Sequence, residues 1–323
     1  MKIIKSYKQG FTKTLSLLGM TTLIYFFTLL IGMTIALPFK TALTKAIGFS
    51  MSPSILVSGF DYTIYEDFMR NYGDAIKPFI QIMLWVGLAY LIFSIFFAGG
   101  ILNILQNENN KFSMKSFFEG CGKYFFRFLR LSGIVIILNI IIAFAVYIPL
   151  GMIFSSVFET VESEASLFYI GVGGVVIHLF FAILTLIISD YTKMKLVTEE
   201  TTKVFRTFWQ AIKFTVRHLF STYTLYVMLM IFPVLLFIIY YFIEKSIGMT
   251  SGATILIMFL LQQIFIWLRQ VSKVWNYSSQ FQYHNNFIEP KLPEVLPPTS
   301  EEWDLKDLIN PTDDASLSGD LIA

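Results

Sequence analysis

The chain has 323 residues, of which 55% are hydrophobic and only 14% are charged, with a formal net charge of +2. This composition is typical of an integral membrane protein. No nucleic-acid partner is expected for it.

Six apolar stretches are long enough to cross a bilayer, whose hydrocarbon core needs roughly 20 residues of helix. None contains Lys, Arg, Asp or Glu, and each is a continuous apolar run rather than the alternating pattern of barrel strands. The sequence therefore predicts an all-α, polytopic membrane protein with six transmembrane helices. The predicted spans are about Leu15–Leu37, Phe79–Leu105, Leu131–Val157, Phe168–Ser189, Leu219–Ile243 and Ala253–Leu268.

A basic, aromatic segment precedes the first, third and fifth spans. In the last of these segments, apolar residues recur at steps of three and four, and basic residues fall on the opposite helical face. Such segments are predicted to be amphipathic helices lying at the membrane surface. The predicted apolar stripe of the last segment is Phe205, Phe208, Trp209, Ile212, Val216 and Leu219.

The three segments predict a threefold repeat of surface helix, outward span and returning span. Lys123 and Arg127 have the same spacing as Lys213 and Arg217, and the N-terminal segment matches more weakly. Repeats of the same sense predict a pseudo-rotation axis along the membrane normal. The repeats would cover about residues 1–107, 108–199 and 200–270.

The basic residues of these segments are candidates for a surface that binds anionic lipid headgroups or a partner, since each is worth about 1 kcal/mol near an anionic membrane. The alternative is that they only set the orientation of the spans. The candidates are Lys123, Arg127, Arg130, Lys213 and Arg217.

The distribution of basic residues predicts the topology. Lys and Arg are concentrated in the N-terminal segment and in the second and fourth loops, whereas the third loop has three Glu and no basic residue. Because cytoplasmic loops carry the excess of Lys and Arg, both termini are predicted to be cytoplasmic.

A few residues within the predicted spans are candidates for helix–helix contacts. Gln262 and Gln263 could hydrogen-bond neighbouring helices, and Gly99 and Gly100 would permit close packing. His178 is the one titratable group in mid-span, where a helix–helix hydrogen bond and a proton relay both remain open.

The connection after the fourth span carries a recognisable order of residues. The pattern is Asp190-Tyr191, a basic position, Leu196-Val197, Glu199, an amphipathic helix and then Arg217-His218. It resembles a group of uncharacterised bacterial six-span membrane proteins and is similar in layout to the membrane domain of some glycerophosphodiester phosphodiesterases. The resemblance implies a bacterial cytoplasmic (inner) membrane protein without assigned chemistry, since the phosphodiesterase catalytic domain has no counterpart here.

The same connection contains a possible cytoplasmic polar site made of Asp190, Lys195, Glu199 and Arg206. The alternative is structural: Asp190 would cap the surface helix system or pair with Lys193, and Glu199 would lie near a helix N-terminus, where acidic residues are favoured.

Residues 1–270 are predicted to form the membrane domain, and 271–323 a Pro-rich, acidic cytoplasmic tail. Such composition favours disorder in isolation. Apolar residues nevertheless punctuate the acidic run in a short amphipathic pattern that could dock on a partner protein, with a solubilising tail as the alternative. The predicted docking residues are Trp303, Leu305, Leu308 and Ile309.

These features favour a non-enzymatic accessory or scaffold subunit of an inner-membrane complex. The alternative is a lipid-handling or small-molecule transport protein that binds anionic headgroups at its cytoplasmic surface. No catalytic residues, cofactor or metal are predicted, because the three His residues are scattered, Cys121 is the single cysteine, and no phosphate-binding loop occurs.

Overall fold

The computed structural model of the protein describes residues 2–47, 61–107, 112–158, 164–247 and 251–287. Within these ranges every regular element is an α-helix, and there is no strand. The helices are α1 (Lys2–Ser16), α2 (Leu18–Ile47), α3 (Tyr62–Gln106), α4 (Met114–Phe158), α5 (Glu164–Thr198), α6 (Val204–Arg217), α7 (Leu219–Ser246) and α8 (Gly252–Phe287).

Six of these helices, α2, α3, α4, α5, α7 and α8, are long and apolar enough to cross a membrane. Each overlaps one predicted span, which confirms the prediction of an all-α, multi-pass membrane protein. Helices α3 and α4 have 45 residues each. They are longer than the hydrocarbon core of a bilayer requires, so part of each extends beyond it.

Two short helices directly precede a span. Helix α1 ends at Ser16 just before α2 begins at Leu18, and α6 ends at Arg217 just before α7 begins at Leu219. The equivalent segment at the start of α4 continues into its span without a break. The three basic segments are therefore two separate helices and one helical extension.

The helices pack as three hairpins around an inner group. The hairpins are α2–α3, α4–α5 and α7–α8, and their second members α3, α5 and α8, here called the inner helices, contact one another. Helix α1 packs on α8, the start of α4 on α3, and α6 on α5. The end of the bundle where these three contacts lie is called the short-helix end.

Buried residues are concentrated at the short-helix end, where aromatic rings fill the core. Phe117, Tyr124, Phe128 and Tyr191 are among the largest fully buried side chains. Rings in contact at favourable centroid distances add to the stabilisation that burial provides.

Close approach between α3 and α4 depends on glycine. A methyl group on Gly99 would lie 2.8 Å from the carbonyl oxygen of Gly120, and one on Gly100 would lie 2.7 Å from the Phe117 ring. This finding confirms the prediction that Gly99 and Gly100 are close-packing positions.

Away from the short-helix end, the spans expose apolar side chains, as helices that face lipid do. Leu84, Ile137 and Ile239 are more than half exposed. Here the predicted glutamine contacts are confirmed. Gln262 Nε2 donates to the Tyr240 hydroxyl at 3.0 Å, and Gln263 Oε1 accepts from the Tyr25 hydroxyl at 2.9 Å.

Helix α8 continues well past residue 270, the predicted boundary between the membrane domain and the tail. Trp275 Nε1 donates to the backbone carbonyl of Tyr7 at 3.1 Å, and Ser278 and Ser279 are fully buried. Residues 271–287 are thus part of the helical bundle, because their polar and aromatic side chains pack between helices rather than facing solvent.

Candidate functional site

A groove with a basic rim lies between α4 and α6 at the short-helix end. Its volume is about 530 Å³. Arg130 of α4 and Lys203 and Arg206 at the start of α6 line it beside apolar side chains of both helices. This basic groove consists of Arg130, Ile134, Thr202, Lys203, Val204, Phe205 and Arg206.

The three cations of the basic groove have no carboxylate within ion-pair distance among the described residues. No acidic residue lines the groove. Uncompensated positive charge beside apolar walls creates a local field that attracts anions and supplies guanidinium donors for their oxygens. The sequence assigned Arg130 and Arg206 to different sites, and the structure brings them to the same groove.

Helix α6 has three faces rather than the two that its sequence predicts. One face packs on α5, because Thr and Ala at every fourth position permit close contact. The other two faces of α6 are exposed. One carries apolar side chains, and the adjoining face carries Arg206, Lys213 and Arg217. The buried face is Val204, Thr207, Phe208, Ala211 and Thr215, and the exposed apolar residues are Phe205, Trp209 and Val216.

Lys123 and Arg127 of α4 have protein partners. Lys123 Nζ lies 2.7 Å from Glu200 Oε1, and Arg127 Nη1 donates to the Glu200 carbonyl oxygen at 3.2 Å. The hydrogen bond from Lys123 lowers the pKa of the Glu200 carboxyl. Glu200 has φ 48°, a left-handed conformation that is unusual for a residue other than glycine. The two cations therefore hold the connection from α5 to α6 against α4.

The predicted polar set of Asp190, Lys195, Glu199 and Arg206 does not share one set of partners. Lys195 Nζ lies 3.3 Å from Oε1 of Glu199, the residue directly after α5, and Arg206 lines the basic groove. Asp190 pairs with Lys193, which confirms the structural alternative for this residue.

The Asp190–Lys193 pair is buried where α5 meets α8. Asp190 Oδ1 lies 2.9 Å from Lys193 Nζ, and the two side chains are only 13% and 14% exposed. Lys193 Nζ also donates to the Tyr277 hydroxyl at 3.2 Å, and Gln280 Nε2 donates to Asp190 Oδ2 at 3.3 Å. Both charges are therefore hydrogen-bonded, as burial requires.

Helix α3 is the third inner helix and joins this network through Ser94. Lys273 Nζ of α8 donates to Ser94 Oγ of α3 at 2.7 Å. All three inner helices thus contribute polar groups from their C-terminal halves. The central cluster consists of Ser94, Asp190, Lys193, Lys273, Tyr277 and Gln280.

Among the described residues, no group of three or more His, Cys, Asp or Glu could hold a metal ion. No known protein family, curated protein or solved structure matches this chain. The function is therefore inferred from the geometry of the basic groove and of the central cluster.

Lys273, Tyr277 and Gln280, the α8 part of the central cluster, were not among the predicted site residues, because the last predicted span ends at Leu268 and these residues fall in the predicted tail. A usable signal was present: Lys273, Tyr277 and Gln280 recur at steps of four and three, which places them on one helical face. The predicted docking residues of the tail, Trp303, Leu305, Leu308 and Ile309, lie outside the described residues.

Proposed function

We propose that this multi-pass membrane protein is a non-catalytic protein that binds anionic phospholipid headgroups in the basic groove. The observation that carries the proposal is the convergence of Arg130, Lys203 and Arg206, from two helices, on one groove without an acidic residue. A phosphodiester oxygen is the natural partner for such a set, because guanidinium groups bind it with paired hydrogen bonds.

The apolar part of the groove suits the rest of a lipid. Ile134 and Phe205 line the groove beside the cations, and Phe205 and Trp209 are 73% and 56% exposed on α6. Aromatic side chains favour the headgroup level, and an exposed apolar face beside basic residues is typical of helices that lie in the membrane interface. Helices α1 and α6 and the start of α4 would then be the amphipathic interfacial helices.

The short-helix end is proposed to face the cytoplasm of a bacterial cell, at its inner membrane. The basic segments gather at this end, as the positive-inside rule requires of a cytoplasmic surface. Both termini of the sequence would be cytoplasmic.

The threefold repeat is supported by the pattern of helix contacts. Each short segment packs on the inner helix of the preceding hairpin, as α6 does on α5, and α1 closes the series on α8. The outward spans α2, α4 and α7 likewise contact α8, α3 and α5, respectively. A cyclic order of this kind is what three same-sense repeats around one axis would produce.

Removing two cations from the basic groove is expected to release anionic lipid. In Arg130→Gln/Arg206→Gln, the phosphatidylglycerol that co-purifies in mild detergent should fall about tenfold or more, because each basic residue contributes about 1 kcal/mol. Native mass spectrometry of the full-length chain measures the retained lipid.

The matched control is Arg70→Gln/Lys77→Gln, which removes two exposed cations from the other end of α3. This control should retain as much phosphatidylglycerol as the wild-type protein. Equal lipid loss in the two double variants, or none in either, would contradict the proposed headgroup site.

The accessory or scaffold role predicted from the sequence rests on the tail and has a separate test. Deleting residues 289–323 should leave the protein inserted in the membrane and still binding phosphatidylglycerol, while a stoichiometric partner protein is lost from a mild-detergent purification. Quantitative mass spectrometry of both preparations measures the partner. An unchanged set of co-purifying proteins would argue against docking through the tail.

A further inference from the structure

We propose that the central cluster is a second anion site, in which Lys273 and Lys193 bind a phosphate group between α3, α5 and α8. Its residues belong to different helices from the cations of the basic groove. The proposal therefore goes beyond headgroup binding in that groove and can fail without it.

The first argument is the balance of charge. Asp190 is the carboxylate of the central cluster, and its oxygens are engaged by Lys193 and Gln280. Lys273 has Ser94, a neutral hydroxyl, as its hydrogen-bond partner. Lys273 also lies close enough to Lys193 for like-charge repulsion, which Asp190 offsets only in part because its oxygens are already engaged. Two lysines that share one carboxylate leave an excess of positive charge, which is costly in a bundle interior unless an anion compensates it.

The second argument is the number of free donors. An ammonium group has three N–H bonds. Lys273 uses one of them on Ser94, and Lys193 uses two, on Asp190 and Tyr277. The Tyr277 hydroxyl accepts from Lys193, which leaves its own proton to donate. These donors, from α5 and α8, suit an oxyanion with several acceptor oxygens.

The third argument is depth in the membrane. Lys273 is 21 residues after Gly252, the start of α8. At 1.5 Å per residue, this is about 31 Å along the helix, or about one hydrocarbon thickness. Lys273 therefore lies at headgroup level on the short-helix side. Lys273 keeps part of its surface exposed rather than being sealed within the bundle.

A lipid headgroup and free phosphate present the same chemistry to this site. The test uses the full-length protein in a zwitterionic detergent and compares wild type with Lys273→Met. Thermal unfolding is measured with sodium phosphate against sodium chloride at equal ionic strength, and with short-chain phosphatidylglycerol against phosphatidylcholine.

In wild type, phosphate or phosphatidylglycerol should raise the unfolding temperature, and the half-saturating concentration should rise about tenfold or more in Lys273→Met. Without added anion, Lys273→Met should unfold at a higher temperature than wild type, because an uncompensated charge is gone. General stabilisation by phosphate salts would affect both proteins equally, and such equality would overturn the proposal.

The two ligand arms identify the source of the phosphate group. A response to both ligands means that a free phosphate group suffices, and a response to phosphatidylglycerol alone means that the lipid is required. The groove variant Arg130→Gln/Arg206→Gln should keep the Lys273-dependent response. A response that is lost in the groove variant and kept in Lys273→Met would support the basic groove and refute the central site.

Discussion

Asp190→Ala is expected to destabilise the protein by about 3–5 kcal/mol, the usual cost of removing one partner of a buried ion pair. Lys193 would remain buried beside Lys273, with the Tyr277 hydroxyl as its remaining hydrogen-bond partner. The free energy of unfolding in mixed detergent micelles measures the loss.

Two further variants show whether the loss comes from the stranded charge. Lys193→Met in the Asp190→Ala background should recover most of the stability, because an apolar pair replaces the ionic one. Asp74→Ala breaks the exposed pair with Lys77 and should cost less than about 1 kcal/mol. A similar cost for Asp190→Ala and Asp74→Ala would show that the buried pair is not structurally important.

Gly10→Ala is expected to cost about 3 kcal/mol, the upper end of what overpacking usually costs. The added methyl group would lie 2.6 Å from Ser279 Cα, and backbone cannot move aside as a flexible side chain can. Helix α1 would be pushed from α8, which weakens the contact of Tyr7 and Phe11 with Trp275. The measurements are thermal unfolding and the rate of tryptic cleavage within α1.

The matched control for this substitution is Gly122→Ala. A methyl group at Gly122 would meet nothing within 4 Å. Since alanine favours helix over glycine, the control should be neutral or more stable by up to about 1 kcal/mol. Equal destabilisation by both alanines would mean that α1 does not depend on close contact with α8.

The number of spans could be predicted from the sequence because lipid selects continuous apolar runs, and hydropathy measures this property directly. The C-terminal end of α8 could not be predicted in this way. Trp275, Ser278 and Ser279 are buried against other helices, yet their composition resembles that of a solvated tail. A hydropathy window does not distinguish a polar side chain that packs against another helix from one that faces water.

The candidate site shows the same limit in its basic residues. Lys123 and Lys213 hold matching positions in the predicted repeat, but Lys123 is paired with Glu200 whereas Lys213 is exposed on α6. Spacing along a helix predicts which face a residue occupies. Which residues lie opposite that face depends on packing between distant segments. Such packing places Arg130 and Arg206 in the same groove.

The contact between α1 and α8 sets the order in which the protein can be assembled. These helices stand at opposite ends of the described chain, with five spans between them. During synthesis, the face of α1 that carries Ser6, Gly10 and Thr14 therefore stays uncovered by α8 until α8 has been translated. The contact between α1 and α8 therefore forms only after five spans have been synthesised, and a nascent chain halted before Trp275 leaves that face open to chaperones and proteases.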